Sequence, residues 1–215
     1  MLSDSIGKRV RTIKDCELFV RRGKTFSGIS DCIINDMVVV RDRKAILIHV
    51  GTNDVSDLLR RQQERKRQLS YMGRAHKPPI TVEQIVEGFK SVVFQIRRHN
   101  HTAQILFSAI LPRPTDYNDS EPIIRQVNNQ IEQYCWQHSC IFVYSYKWFC
   151  RAGLPVKAYF AQNDDLHLSD AGSSRLEQAF QMALSDSNLA KPVKRKGEGR
   201  KQCSKKAKRC LVDLV

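Results

Sequence analysis

The sequence predicts an α/β protein of three layers, helices covering both faces of a mostly parallel sheet. Three observations predict it. Short β-branched apolar runs alternate with amphipathic stretches long enough for helices, the order that a parallel sheet requires. The clearest run, Ala45-Ile46-Leu47-Ile48-His49-Val50, is apolar at every position but His49 and reads as a strand buried on both faces. It breaks at Gly51 into Thr52-Asn53-Asp54, small polar residues that suit a turn. Open α/β sheets bind ligands at the carboxyl ends of their strands, so this break delivers polar groups to the place where chemistry occurs.

The elements follow in order. Ser3-Asp4-Ser5 makes a turn, after which Ile6, Val10 and Ile13 recur at near-helical spacing. Only Met1 and Leu2 precede Ser3, which leaves almost no residues for a strand there. Residues 17–20 form a short strand and 21–25 a loop, and Ile29, Ile33, Ile34 and Met37 mark a helix. After the central strand, residues 57–73 are polar and basic with a weak helical pattern, ended by Lys77-Pro78-Pro79. Thr81 and Gln84 have capping-box spacing ahead of Val82, Ile85, Val86, Phe89, Val92, Val93 and Ile96, which share one helix face. Residues 104–110 form the next buried strand. Ile123, Ile124, Val127, Ile131 and Tyr134 mark another helix, and residues 140–144 another strand. A polar loop leads to Asn163-Asp164-Asp165-Leu166-His167-Leu168. Ser169 or Asp170 then caps a last helix that turns Leu176, Phe180 and Leu184 inward.

Length and charge divide the chain into a domain over 1–186 and a basic, disordered tail over 187–215. The formal net charge is +14, and residues 191–215 hold ten Lys and Arg against Glu198 and Asp213. That imbalance suits an acidic partner, nucleic acid or a nuclear-import receptor, bound between Lys191 and Arg209; the plainer reading is a solvated end. The segment from Arg60 to Arg67 adds a second basic stretch. Seven cysteines form no C-x-x-C pair, which favours buried thiols in a reducing compartment over disulfides or zinc. With no apolar run of membrane length and no signal-peptide pattern at the start, the chain reads as intracellular, cytoplasmic or nuclear.

Three polar segments fall after a strand or just before the last helix: Asp4-Ser5-Ile6, Gly51-Thr52-Asn53-Asp54 and Asp164-x-x-His167. With Gly23 after the second strand, they resemble, in order and distance, the sequence blocks of the SGNH hydrolase (GDSL esterase/lipase) superfamily. Within it, Leu111-Pro112-Arg113, Val127-Asn128-Asn129 and Phe160 make the chain look most like the domains of LINE-type retrotransposon first-open-reading-frame proteins and related animal gene products. The Oskar-type domain is a more distant likeness, similar in fold, lacking the catalytic serine and used to bind RNA. The resemblance implies a flavodoxin-like sheet, with an apolar strand before the serine that is largely missing here, and a serine esterase or acylhydrolase without metal or cofactor. Its catalytic residues are Ser5, Asp164 and His167, and its oxyanion donors are the N–H groups of Ser5 and Gly23 and the side chain of Asn53. Two positions depart from the family pattern: Ser3 stands where the first block has glycine, and Asp165 stands between the catalytic Asp and His.

The chemistry asks for these residue types. A serine hydroxyl needs a base within reach, and a histidine serves as one when a carboxylate holds its ring. Each residue also has a plainer reading. Ser5 or Asp4 caps a helix, Asp164 and Asp165 favour a helix start, His167 packs in a turn, and Gly23 and Asn53 shape turns. His49 reads as a satisfied core histidine; His99, His101 and His138 have no partner at ligand spacing. Two functions therefore stand: a carboxylic-ester hydrolase working through an acyl-enzyme on a small ester, or a catalytically silent module that holds nucleic acid through its basic segments.

Overall fold

In the computed structural model, which describes residues 1–10, 13, 16–69 and 81–186, five parallel strands form the central sheet. They are β1 (Leu2–Ser3), β2 (Phe19–Val20), β3 (Ala45–His49), β4 (Gln104–Ser108) and β5 (Ile141–Val143), in the spatial order β2-β1-β3-β4-β5. This is the flavodoxin-like order, and its direction reverses between β1 and β3. β1 is as short as the sequence requires. Leu2 pairs with Phe19 and Ile48, and Ser3 with Val20 and His49.

Both faces of the sheet are covered, which explains why the strands are apolar without alternation. Ile46, Ile48, Ile105 and Phe107 point into a core built by α1 (Phe26–Ile34), the first turns of α2 (Thr52–Leu69), α3 (Val82–His99) and α4 (Tyr117–Gln137). Leu47, Leu106 and Val143 point the other way, against Ile6, Val10, Phe149 and the last helix. Thr81 and Gln84 close both bonds of the predicted capping box, and Val82, Ile85, Val86, Phe89, Val92, Val93 and Ile96 are all buried. The last helix, here called α6, runs over Asp170–Asp186. Ser169 is its cap, its Oγ accepting the Gly172 N–H at 3.1 Å.

Four expectations are corrected. Ile6 and Val10 do not share one helix: Asp4 caps a five-residue 3-10 helix, Ser5–Arg9, which stops at extended Val10. Met37 lies beyond α1, because Asp36 takes a left-handed backbone at φ 51° and ends it. Thr52-Asn53-Asp54 are the first turn of α2, not a separate turn. Gly51 makes the break alone: its φ is +125°, and a Cβ there would lie 2.5 Å from Ile110. The polar loop after β5 holds a short helix, α5 (Ser145–Trp148), and a hairpin of β6 (Cys150–Arg151) and β7 (Leu154–Pro155). Its turn uses positive φ at Ala152 and Gly153, and alanine there gives none of the usual Asn-Gly signal.

The predicted helix end at Lys77-Pro78-Pro79 and the basic tail lie outside the described residues. Of the described cysteines, all free, Cys32 and Cys135 are buried, but Cys16 is exposed and Cys140 and Cys150 are partly so. The expectation of buried thiols therefore holds for only part of the set. No described helix is long and apolar enough to cross a membrane.

Candidate active site

The reversal of strand order brings the ends of β1 and β3 together. Ser5 follows β1, and Asn53 opens the helix that follows β3. Asp4 sets the first of these. Its Oδ1 accepts the Ile6 N–H at 2.9 Å, so Asp4 is the cap and Ser5 begins the 3-10 helix with its hydroxyl uncommitted to capping.

The loop from Ala161 to Leu168 supplies the rest. Its base is closed by a bridge between Phe160 and Leu168 and by the Ala161 N–H donating to the His167 carbonyl at 2.7 Å. Asp164 Oδ1 accepts the N–H groups of Leu166 and His167, each at 2.9 Å. Its Oδ2 lies 2.5 Å from His167 Nδ1, and His167 Nε2 lies 3.1 Å from Ser5 Oγ. Asp165 has φ 50°, a conformation that glycine adopts without strain and aspartate tolerates. Partial burial opposes ionisation of Asp164. The bonds from the His167 ring and two backbone N–H groups outweigh it and hold the carboxyl below its ordinary value.

Of the expected oxyanion donors, Gly23 has φ +70° and open space where a Cβ would stand. Neither its N–H nor that of Ser5 donates a hydrogen bond among the described residues. Asn53 is placed differently. Its amide donates to the Lys24 carbonyl at 3.0 Å and so holds the 21–25 loop, with its second N–H left over. The cleft of about 450 Å³ at Ser5 is lined by Asp164 and His167 but not by Gly23 or Asn53.

Residues to which the sequence reading gave no role at the site fix this frame. Arg113 is buried; it pairs with Asp116 and donates to the Thr52 carbonyl and to Ser56 Oγ, tying the loop after β4 to the start of α2. Asn128 holds both backbone groups of Ile110. Asp54 accepts the Phe26 N–H at 3.1 Å, fixing the far end of the 21–25 loop. Burial pushes Asp54 up to about 7 against that bond, with nearby Asp4 adding to the rise. Burial likewise pushes Asp4 up to about 7, against the Ile6 N–H and the His167 charge. Ser3, where the family has glycine, is fully buried with its Oγ unpartnered. Lys8, Arg22 and Asn163 also line the cleft.

His49 is the core histidine the sequence suggests. It is buried, its Nδ1 lies 2.9 Å from Ser108 Oγ, and burial lowers its pKa to about 4. Among the described residues no group of three His, Cys, Asp or Glu is arranged to hold a metal ion.

Comparison with known proteins gives a family and a fold. A family model described as the GDSL-like lipase/acylhydrolase family matches residues 30–175, a range that includes Asn53, Asp164 and His167 and begins after Ser5 and Gly23. Among solved structures, a GDSL-like lipase from Bacteroides thetaiotaomicron superposes with a TM-score of 0.64 at 16% identity, covering 86% of each chain. The OSK domain of Drosophila Oskar gives 0.57 at 13% identity, covering 85% of this chain and 86% of that one. The esterase domain of the first-open-reading-frame protein of the zebrafish ZfL2-1 retrotransposon gives 0.45 at 22%, covering 86% and 96%. A search of curated protein sequences gives no significant match.

Proposed function

The chain belongs to the GDSL-like lipase/acylhydrolase family, and from that membership we propose that it is a serine esterase acting on carboxylic esters through an acyl-enzyme. The observation that carries the proposal is the continuous contact from Asp164 through His167 to Ser5, at 2.5 and 3.1 Å, open to a cleft. Ser5 Oγ attacks the ester carbonyl while His167 Nε2 takes its proton. Asp164 fixes the ring so that Nε2 faces the hydroxyl, and it stabilises the imidazolium that forms. The alkoxide of the tetrahedral intermediate draws on the N–H groups of Ser5 and Gly23 and the remaining N–H of Asn53. His167 then returns the proton to the leaving alcohol, and water attacks the acyl-enzyme with His167 again as base.

The test is hydrolysis of short-chain 4-nitrophenyl esters by the full-length protein beside Ser5→Ala. Turnover no faster than that background in a folded wild type overturns the proposal.

A second reading, a silent module bound to nucleic acid, is supported by the outer half of α2, where Arg60, Arg65, Lys66 and Arg67 are exposed. Together with the tail it would make binding fall steeply with salt, at a log–log slope on the order of −5 for about six phosphate contacts. Deleting 191–215 should flatten that slope, and unchanged affinity would count against it. The same tail attached to a fluorescent protein tests nuclear import and, with it, the intracellular setting.

A further inference from the structure

We infer that the cleft beside Ser5 selects esters carrying an anionic group, a carboxylate, sulfonate or phosphate, close to the scissile carbonyl, with Lys8 and Arg22 as its contacts. This rests on the esterase reading above and names its substrate class.

The cleft has two kinds of lining. Ile6, Ala161 and Leu168 contribute apolar surface, and Lys8 and Arg22 line it together with Ser5 and His167. The placing of Lys8 follows from the helix type. A 3-10 helix has three residues per turn, so Ser5 and Lys8 eclipse on one face, about 6 Å apart along its axis at roughly 2 Å per residue. Arg22 is fixed by the backbone around it. The Arg21 N–H donates to the Ser3 carbonyl at 3.0 Å, which fastens the loop to the end of β1. The Lys24 carbonyl, two residues past Arg22, is held by Asn53.

Among the described residues neither cation is neutralised from within. Both are exposed, and among the described residues neither has a carboxylate within ion-pair distance. The acid that lines the same cleft, Asp164, already accepts two backbone N–H groups and the His167 ring. The cleft therefore carries two cations beside its apolar lining, one of them a helical turn from the nucleophile. A neutral ester leaves both cations solvated and gains nothing from them. An anionic ester meets two of them within a side chain's reach of the carbonyl.

The anion can belong to the acyl group or to the alcohol, and paired substrates separate the two. On the acyl side, mono-4-nitrophenyl adipate is compared with 4-nitrophenyl hexanoate; on the alcohol side, 4-acetoxybenzenesulfonate with phenyl acetate. Rates are corrected for spontaneous hydrolysis. The wild type should favour at least one anionic member by about tenfold in kcat/KM, the sum of two partly exposed ion pairs. The preference should sit in KM and shrink between low and high salt. In the double variant Lys8→Glu/Arg22→Glu the anionic-to-neutral ratio should fall below one. Because the reading is a ratio within each protein, a general loss of activity does not affect it.

Equal kcat/KM within both pairs overturns the inference and leaves the esterase reading standing. If no ester is turned over above the Ser5→Ala background, the esterase reading falls instead. Affinities of the uncleaved esters, measured by NMR titration of the wild-type protein, then decide the charge preference: tighter anionic binding upholds it and equal affinity overturns it.

Discussion

The protein contains two serine–histidine contacts of nearly equal length in opposite settings. Ser5 Oγ lies 3.1 Å from His167 Nε2 at the mouth of a cleft, and Ser108 Oγ lies 2.9 Å from His49 Nδ1 within the sheet. At the first, the other ring nitrogen meets the Asp164 carboxylate, and the serine begins a helix with its hydroxyl outward. At the second, the serine hydroxyl also lies 2.7 Å from Ser145 Oγ, which donates to the Ala109 carbonyl at 3.1 Å. The His49 ring stands edge-on to Phe180. Burial lowers the His49 pKa to about 4, so the ring stays neutral and pairs with a hydroxyl that has nowhere to send its proton. Hydrogen-bond length does not separate the proposed nucleophile from a core contact. Access and a carboxylate behind the ring do.

The largest effect is expected where the two contacts are set against each other. Ser5→Ala and His167→Ala should each lower ester kcat/KM by about 10⁴–10⁶, and the double variant should cost little more, since the residues act as a unit. Next comes Asp164→Asn, which keeps the shape of the loop but offers the ring the wrong partner, at about 10³–10⁴. Asp165→Asn should do far less, because Asp165 contributes a backbone bend and makes no bond to the ring. Asn53→Ala should lower kcat by about 10²–10³ with little change in KM if its free N–H reaches the oxyanion. A loss confined to stability would assign Asn53 only to holding the Lys24 carbonyl.

Part of this site was legible in the sequence as short local patterns. Asp164 three residues before His167 carries its geometry within a few positions, whereas Gly51-Thr52-Asn53-Asp54 marked the break but not the helix it starts, and Ser5, 162 residues from His167, was joined to them by the family resemblance. The strands and α3 were legible for the same reason, through period and capping. What could not be read depends on the backbone's exact choice among near-equal states. Asp4 rather than Ser5 became the cap, so Ser5 opens a 3-10 helix with its hydroxyl free and Lys8 lines the same cleft. Arg113 entered the sequence reading only within Leu111-Pro112-Arg113; its partners Thr52 and Ser56 are 61 and 57 residues away, beyond any local pattern. The hairpin after β5 was hidden by alanine at a left-handed position.

The acids near the cleft and the core histidine should pull stability in opposite directions with pH. Asp4 and Asp54 are raised by burial from 3.8 to about 7, so the folded state holds their protons more tightly than the unfolded chain. Their contribution is complete below about pH 4 and is lost as pH rises to 7. His49 is lowered from 6.5 to about 4, so its contribution is complete above pH 6.5 and is lost as pH falls. Two groups oppose one, each with a limiting slope of about 1.4 kcal/mol per pH unit. Unfolding free energy should therefore decline on going from pH 4.5 to 6.5, as urea titrations would measure. With both acids changed to Asn the slope should reverse, since His49 alone remains. A wild-type stability that rises over this range would show that the two carboxyls are ionised in the folded protein.

The smallest effect tests the buried contact by itself. Ser108→Ala removes the hydroxyl between His49 and Ser145, leaving Nδ1 of a fully enclosed ring without its partner. Ser145 keeps the Ala109 carbonyl as its acceptor, so the loss falls mainly on the histidine. An unpaired buried group of this kind costs about 1–3 kcal/mol. The expected result is a lower melting temperature with ester kcat/KM unchanged at temperatures where the variant is folded. Ser108→Thr should recover part of the stability if the hydroxyl matters more than the fit of the extra methyl. Were Ser108→Ala to abolish turnover in a folded protein while Ser5→Ala did not, the roles of the two pairs would have to be exchanged. The chemistry would then have to be reached through the sheet, where Ser108 is fully buried and His49 nearly so.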